Sequence, residues 1–366
     1  MTQEEYWYWI CNINGIYQNT IRKLMEYFEN PAEVYKITED QLLKSGVVDL
    51  KKAHEIVLSK NNFRSMYRLE KLKRDGIRFV YYGSEDYPPS FLTLDDKPYS
   101  LYVKGNLPDQ DFPSAGIVGA RTCSGYGKEM AMKYAQTLAA NGVQIISGMA
   151  AGVDTCASKG ALEAGGKTFV VLGSGLDVIY PPQNIELYYQ IILNRGGVIS
   201  EYPMGTAPVG WQFPHRNRLI SALSDKLLVI EARKHSGTLT TVSYALSQGK
   251  DVYALPGRVT DPLSEGCNKM IADGAGVLLS PSDILMEFAA SAHNMGNENQ
   301  LQENKANKNP EGKMGILYSL LNYEEKNLNQ LACESGFPTE ETAQILAEME
   351  LMGMCTQLSK DYFVKE

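Results

Sequence analysis

Through the first 75 residues the apolar positions recur at helical spacing; beyond them the pattern changes to short unbroken apolar runs. Tyr6, Trp7, Trp9 and Ile10, then Ile21, Leu24, Met25 and Phe28, predict short amphipathic helices with breaks at Asn30-Pro31 and Ser45-Gly46. Runs at 77–82 and 99–103 read as strands around the turn-rich Tyr87-Pro88-Pro89. From 114 to 288 the pattern is strand, glycine-rich turn, helix, repeated. Strands are expected at 115–118, 143–146, 168–172, 198–200, 226–230, 251–254 and 276–279, with helices such as 128–140 and 155–164 between them. Unbroken runs of this length suit strands covered on both faces. Their alternation with helices predicts an α/β fold on a doubly wound, mostly parallel sheet.

Residues 289–312 are polar and rich in Asn, which predicts a flexible linker. Helical patterns follow at 316–321, 327–333 and 339–352, and then a terminal hairpin over 355–364. Three helices and a hairpin are the outline of a winged helix. Its expected recognition helix carries Glu340, Glu341, Glu348 and Glu350 and would repel a phosphate backbone, which favours contact with protein. The expected domains are therefore 1–75, 76–288 and 313–366, joined through the linker 289–312.

Length and composition narrow the class. At roughly 150 residues per domain, 366 residues make two or three domains. No apolar run approaches the roughly 18 residues that cross a bilayer, so no membrane partner is expected. The acidic, aromatic start Met1-Thr2-Gln3-Glu4-Glu5-Tyr6-Trp7 is unlike a signal peptide. The cysteines at 11, 123, 156, 267, 333 and 355 form no C-x-x-C pair, which points to reduced thiols in the cytoplasm and to no zinc site. A net charge of −8 argues at first against nucleic acid. The charge is uneven, however: residues 105–288 carry 14 basic against 16 acidic side chains, and residues 289–366 carry 6 against 12. A local basic groove in the nearly neutral middle stays open.

The stretch from Trp211 to Ser224 holds the most distinctive chemistry. Pro214 suits the first turn of a helix, and Leu219, Ile220 and Leu223 continue at helical spacing. Arg216 and Arg218 then fall in the first turn, where the helix dipole disfavours cations; a local rule broken in this way marks a candidate site. An anion there would meet free N–H groups, two guanidinium forks, the Asn217 amide and the Phe213 ring, a mixture that suits phosphate chains with unpaired bases. The plainer alternative pairs the arginines with carboxylates and places Phe213 in the core.

Four loops follow strand ends: Gly119 to Gly127 with Arg121, Ser147-Gly148 to Asp154, Gly173-Ser174-Gly175 to Asp177, and Ser236-Gly237-Thr238. In a parallel sheet such loops gather at the carboxyl edge, where close backbone and free N–H groups hold anions. The first loop is not G-x-G-x-x-G, the second strand ends in Ser147-Gly148 with no Asp or Glu placed to grip a ribose hydroxyl, and no G-x-x-x-x-G-K-[ST] is present. NAD and an ATPase site are therefore not expected, and no cofactor or metal is. Asp154 and Asp177 are candidate catalytic carboxylates, although Asp154 before Thr155 better suits a helix cap. His215 and His235 have no spacing that names a nucleophile. Ser236-Gly237-Thr238 serves equally as a phosphate cradle and as a helix N-cap. Binding ranks above catalysis, and no catalytic residue is assigned.

Taken in order, Gly119-Ala120-Arg121, Ser147-Gly148-x-Ala150-x-Gly152-x-Asp154, Gly173-x-Gly175-x-Asp177-x-x-Tyr180-Pro181, Ser200-Glu201-Tyr202-Pro203, Phe213-Pro214-x-Arg216-Asn217-Arg218, Ser236-Gly237-Thr238 and Ala254-Leu255-Pro256-Gly257 resemble the DNA-processing protein A family (DprA, also called Smf). The likeness covers about residues 80–290, with only an outline match to that family's SAM-like helical domain before it and winged helix after it. The resemblance implies an extended Rossmann-like domain in a cytoplasmic protein of bacterial natural transformation. Such a protein binds incoming single-stranded DNA without sequence preference, forms a homodimer, loads the RecA recombinase and is not an enzyme. It also implies that Arg121, Phe213, Arg216 and Arg218 line the DNA groove. One departure is that residues 207–212 carry no Lys where relatives often place one; Trp211 offers a stacking ring there instead.

Two other readings remain. One is a nucleotide-processing enzyme, like a nucleoside-monophosphate hydrolase, with Ser236-Gly237-Thr238 on phosphate and Glu231 as the catalytic carboxylate. The other is a scaffold whose acidic tail is the working part.

Overall fold

Alternating apolar runs and glycine turns build a nine-stranded sheet in the computed structural model, which describes residues 1–61, 64–294, 312–322, 326–351, 355–359 and 361–365. The chain divides into two compact units, Met1–Phe288 and Ala289–Glu366.

The first unit opens with helices α1 (Gln3–Cys11), α2 (Gln18–Phe28), α3 (Pro31–Lys36), α4 (Glu39–Lys44), α5 (Leu50–Ser59) and α6 (Arg64–Arg74). Their starts follow local chemistry. Thr2 with Glu5 and Thr38 with Gln41 form capping boxes, and Asn30 caps α3 ahead of Pro31. Trp7, Ile10, Leu24 and Ile56 share one buried cluster with Tyr102, Val170 and Leu172 of the sheet. The helices and the sheet therefore share a core.

The strands are β1 (Ile77–Tyr81), β2 (Ser100–Gly105), β3 (Ser114–Val118), β4 (Gln144–Ser147), β5 (Thr168–Leu172), β6 (Gly197–Ser200), β7 (Lys226–Val229), β8 (Asp251–Ala254) and β9 (Gly276–Val277). Their spatial order is β1-β2-β6-β5-β4-β3-β7-β8-β9. The pairs from β6 through β9 are all parallel, whereas β2 pairs antiparallel with both β1 and β6. Every residue of β3, β4 and β5 is buried, as expected for strands covered on both faces. The helices α7 (Gly125–Ala140), α8 (Val153–Glu163), α9 (Ile185–Leu193), α10 (Gln212–Ala222), α11 (Thr238–Ser247), α12 (Glu265–Ala272) and α13 (Pro281–Asn294) connect and cover them. The fold is α/β and Rossmann-like. Its winding reverses beside β3, which pairs with β4 on one side and β7 on the other, so the loops after β3 and β7 flank a crevice.

In the second unit, α14 (Lys313–Leu320), α15 (Leu328–Ser335) and α16 (Thr339–Leu351) join strands β10 (Lys326–Asn327), β11 (Cys355–Ser359) and β12 (Tyr362–Lys365), in sheet order β10-β12-β11. Leu317, Leu331, Leu346, Met349 and Phe363 form its core. Of the expected linker, 289–294 continue α13, while 295–311 lie outside the described residues, as does Met352 of the last expected helix. Among the described residues no helix is long and apolar enough to cross a membrane.

Candidate nucleic-acid interface

The crevice beside β3 is a cleft of about 410 Å³ whose lining includes Arg121, Asp154, Phe213, Arg216, Asn217, Arg233, His235, Ser236, Gly237 and Thr238. Its walls come from the loop after β3, the loop after β4 with the start of α8, the loop after β7 leading into α11, and the start of α10, with Leu263 beside them. Arg121 is exposed and holds its guanidinium carbon 5.0 Å from the centre of the Phe213 ring. Tyr180 tilts against the same ring at 5.5 Å. A half-exposed aromatic edge thus lies beside an exposed cation.

Ser236 shapes the entry to α11. Its hydroxyl accepts the Thr238 N–H at 3.2 Å and donates to the Thr238 hydroxyl at 3.0 Å. The residue at the N-cap is Gly237, which has no side chain to cap with. The next N–H groups, of Leu239 and Thr240, donate to the Ser236 and Gly237 carbonyls at 3.0 and 3.2 Å, so the helix end offers the cleft the positive end of its dipole and not free donors.

Arg216 is a buried wall of the cleft. Its Nη1 donates to the Gly148 carbonyl at 2.8 Å and also to the Val171 carbonyl. Burial pushes its pKa down to about 10, against the pull of Asp154, so it stays a cation at neutral pH. Asp154 accepts the N–H groups of Gly148 at 3.1 Å and Ala150 at 3.4 Å. Burial pushes its carboxyl up to about 6, opposed by Arg216 and those N–H groups. Asp154 does not cap α8; the N-cap there is Gly152, and the carboxylate braces the preceding loop. Asp177 likewise has a backbone partner, the N–H of Gly205 at 2.7 Å.

Several sequence-predicted residues lie elsewhere. The helix α10 begins at Gln212, not at Pro214, so Arg216 and Arg218 occupy its second turn and do not oppose the dipole. Arg218 is buried and grips Glu201 with two hydrogen bonds, Nη1 to Oε1 at 2.8 Å and Nη2 to Oε2 at 2.7 Å. Its Nε donates to the Asp96 carbonyl at 2.9 Å, and it does not line the cleft. The carboxylates that neutralise it come from distant segments, so Arg218 is corrected from groove residue to structural ion pair. Ser147 and Ser174 are buried, their hydroxyls donating to the carbonyls of Ile117 at 2.8 Å and Val178 at 2.7 Å. Gly148 and Gly173 sit behind the wall as spacers. A Cβ on Gly148 would come 2.6 Å from Arg216 Nη2 and 2.7 Å from Asp154 Oδ2. On Gly173 it would come 2.9 Å from the Phe213 ring.

His215 faces away from the cleft and joins the Arg218 cluster, with Nε2 at 2.8 Å from Asp96 and Nδ1 at 3.0 Å from Glu201. Burial opposes its charge, but the two carboxylates raise its pKa to about 9. Glu201, although buried, is pulled down to about 2 by Arg218 and His215. Arg233, His235 and Tyr180 were not singled out for the cleft from sequence. The order of the strands, which sets the β7 loop beside the β3 loop, is what adds the first two. Among the described residues no three His, Cys, Asp or Glu side chains are placed to hold a metal ion.

The fold and cleft define a Rossmann-like protein with a cationic, aromatic-edged ligand crevice at the point where its sheet reverses. The chain belongs to the DNA recombination-mediator protein A family, whose model matches residues 78–289. It is 36% identical to DNA processing protein DprA of Streptococcus pneumoniae over 75% of this chain and 95% of that one. Against Protein Smf of Escherichia coli the identity is 30%, over 99% of this chain and 96% of that one. The solved structure of the Streptococcus pneumoniae DprA superposes with a TM-score of 0.67 at 34% identity, covering 78% of this chain and 98% of that one. A Helicobacter pylori DNA processing protein A, whose structure addresses its single-stranded DNA binding mode, gives a TM-score of 0.52 at 30% identity, covering 59% and 96%.

Proposed function

We propose that the cleft binds single-stranded DNA and that the chain is a non-enzymatic mediator of DNA recombination, taking up strands in natural transformation and passing them to a RecA-type recombinase. The observation that carries this reading is the exposed Arg121 over the Phe213 ring at the mouth of the cleft, beside the N-terminal end of α11. A cation and a helix N-terminus suit a phosphate, and a half-exposed ring suits an unpaired base; neither reads sequence. The Helicobacter pylori relative's binding of single-stranded DNA supports the same ligand. The reading extends to action in the cytoplasm as a homodimer, with α1–α6 as a SAM-like domain and the second unit as a winged helix, and family membership supports it.

The nucleotide-hydrolysing alternative loses its carboxylate. Glu231 is buried beneath α7, where it accepts the Ser124 N–H at 2.9 Å and the Ser124 hydroxyl, and it is not part of the cleft lining.

The test is fluorescence anisotropy with a labelled oligothymidylate across a salt series. Arg121→Ala is expected to weaken binding about tenfold and to lower the slope of log affinity against log salt by about one. Unchanged affinity and slope in that variant refute the proposal.

A further inference from the structure

A second cavity, about 750 Å³, lies on the other side of the segment 211–213, between the turn joining α1 to α2 and the start of α10. Phe213 faces the first cleft, whereas its neighbours Trp211 and Gln212 line the second. Two large rings stand in it with little cover: Trp211 is 60% exposed and Tyr17 is 73% exposed. Trp211 meets Tyr202 at 6.3 Å and His215 at 6.1 Å, both at steep angles that support the indole from its edge.

The polar lining is asymmetric. Gln212 is only 4% exposed, and its Oε1 accepts the Val209 N–H at 2.7 Å, which settles the orientation of the amide. Its Nε2 makes no hydrogen bond among the described residues, and Gln212 lines the cavity. Gln18 on the opposite wall repeats this arrangement: its Oε1 accepts the Tyr99 N–H at 3.2 Å, leaving its Nε2 without a partner among the described residues. The carboxylates in the lining, Asp96 and Glu201, are held by His215 and Arg218. Arg68 lines the cavity and has no ion pair among the described residues. The uncommitted groups thus include amide donors, the Arg68 guanidinium, the buried Arg22 Nε, which donates no hydrogen bond, and two ring faces. Donors without protein acceptors at a cavity wall are matched by a ligand that supplies acceptors.

We infer that this cavity takes one nucleotide, its base stacked on Trp211 and Tyr17 with ring carbonyls accepting from Gln212 and Gln18, and its phosphate toward Arg68. A base offers in-plane carbonyl acceptors and two π faces, which fits those groups as an apolar or cationic ligand does not. The nucleotide is either a unit of the strand held by Phe213 or a free mononucleotide. In the first case the inference rests on the proposed function, with the strand crossing the 211–213 segment and placing one base on each side of it.

Trp7 and Trp9 are each 3% exposed, so a stacking ligand reports through Trp211 alone of the three tryptophans. The full chain is titrated separately with a twelve-residue oligothymidylate and with thymidine 5′-monophosphate, following tryptophan emission, with strand binding measured independently by anisotropy. The expected result is quenching that disappears in Trp211→Phe, with affinity about tenfold weaker in Tyr17→Ala and in Gln212→Glu; the latter keeps the acceptor for Val209 and removes the donors. Tyr17 is a surface residue, so that variant tests the site even if Gln212→Glu fails to fold. Quenching by the oligonucleotide that is lost in Arg121→Ala identifies the strand as the source; quenching by the mononucleotide that survives in Arg121→Ala identifies the free nucleotide. If the oligonucleotide binds by anisotropy while neither ligand quenches Trp211, this inference fails and the proposed function stands. If the oligonucleotide does not bind but the mononucleotide quenches, the proposed function fails and the cavity assignment stands. Quenching with unaltered affinity in both Tyr17→Ala and Gln212→Glu also overturns the inference.

Discussion

Arg121 and Phe213 meet face to cation at 5.0 Å although one lies in the turn after β3 and the other in α10, far apart in sequence. Each is held by a separate feature of the sheet edge, Arg121 by the turn after β3 and Phe213 by the first turn of α10. A cation held over a ring is worth about 0.5–2 kcal/mol according to its exposure. At this exposed site its value lies more in presenting two strand-binding groups as one unit.

Phe213→Ala is expected to weaken oligothymidylate binding by about 1–3 kcal/mol, the range for loss of one base-stacking ring. The double variant with Arg121→Ala should lose less than the sum of the single losses, since each residue orients the other. Anisotropy titrations on the four proteins of that cycle measure the coupling; strict additivity removes it.

Gly173→Ala introduces a Cβ within 2.9 Å of the Phe213 ring and must displace it. Strand affinity should fall several-fold in the salt titration. A wild-type affinity would show that the ring's position does not matter.

Arg218 and Glu201 form a buried pair in which each leaves an uncompensated charge if the other is removed. Arg218→Ala or Glu201→Ala should each cost about 3–5 kcal/mol of stability in urea unfolding, and the double variant less than their sum. Arg218→Ala should leave the salt slope of strand binding unchanged, because the side chain does not reach the cleft.

His215, Arg218, Glu201 and Asp96 make a cluster of two cations and two anions when His215 is protonated. The folded-state pKa of His215, about 9, lies above its ordinary value of 6.5. Its stabilisation is therefore complete below pH 6.5 and is lost as pH rises through about 9. Glu201 runs the other way: with its pKa lowered from 4.5 to about 2, it stabilises above pH 4.5 and loses that contribution as pH falls through about 2. Thermal midpoints should fall between pH 6.5 and 9.5, and more weakly in His215→Gln. Parallel curves for the two proteins would contradict this origin.

Asp154 places a carboxylate with a pKa of about 6 beneath the cleft. Strand affinity should rise as pH falls from 7.5 to 5.5, because the carboxylate is neutralised while Arg121 and Arg216 keep their charge. His235 lines the same cleft, so the comparison is made in a His235→Gln background. Asp154→Asn in that background should bind severalfold more tightly at pH 7.5 and lose the pH dependence; a retained dependence would assign it elsewhere.

The strands β3 to β7 were legible because each is a short run buried on both faces, a requirement that leaves its mark in adjacent positions. Strands expected at 168–172 and 251–254 coincide with Thr168–Leu172 and Asp251–Ala254. Arg121, Phe213, Arg216, Asn217 and Ser236-Gly237-Thr238 were found because hydroxyls, glycines and cations at strand-to-helix turns are a local pattern, and the structure gathers them in one cleft. Local pattern also made α10 begin too late, since Pro214 is tolerated anywhere in a first turn and the true start depends on Gln212 holding Val209. The fate of charge was beyond it. Arg216 and Arg218 look alike two positions apart on one helix, yet one borders the cleft and the other is held by Glu201 and Asp96. Sequence by itself determined the periodicities, the turns and the kinds of group available at the sheet's edge, because these follow from neighbours along the chain. Which arginine borders the cleft, and that Arg233 and His235 join it, was decided only by tertiary structure, because strand order and the approach of remote carboxylates set desolvation and pairing across space.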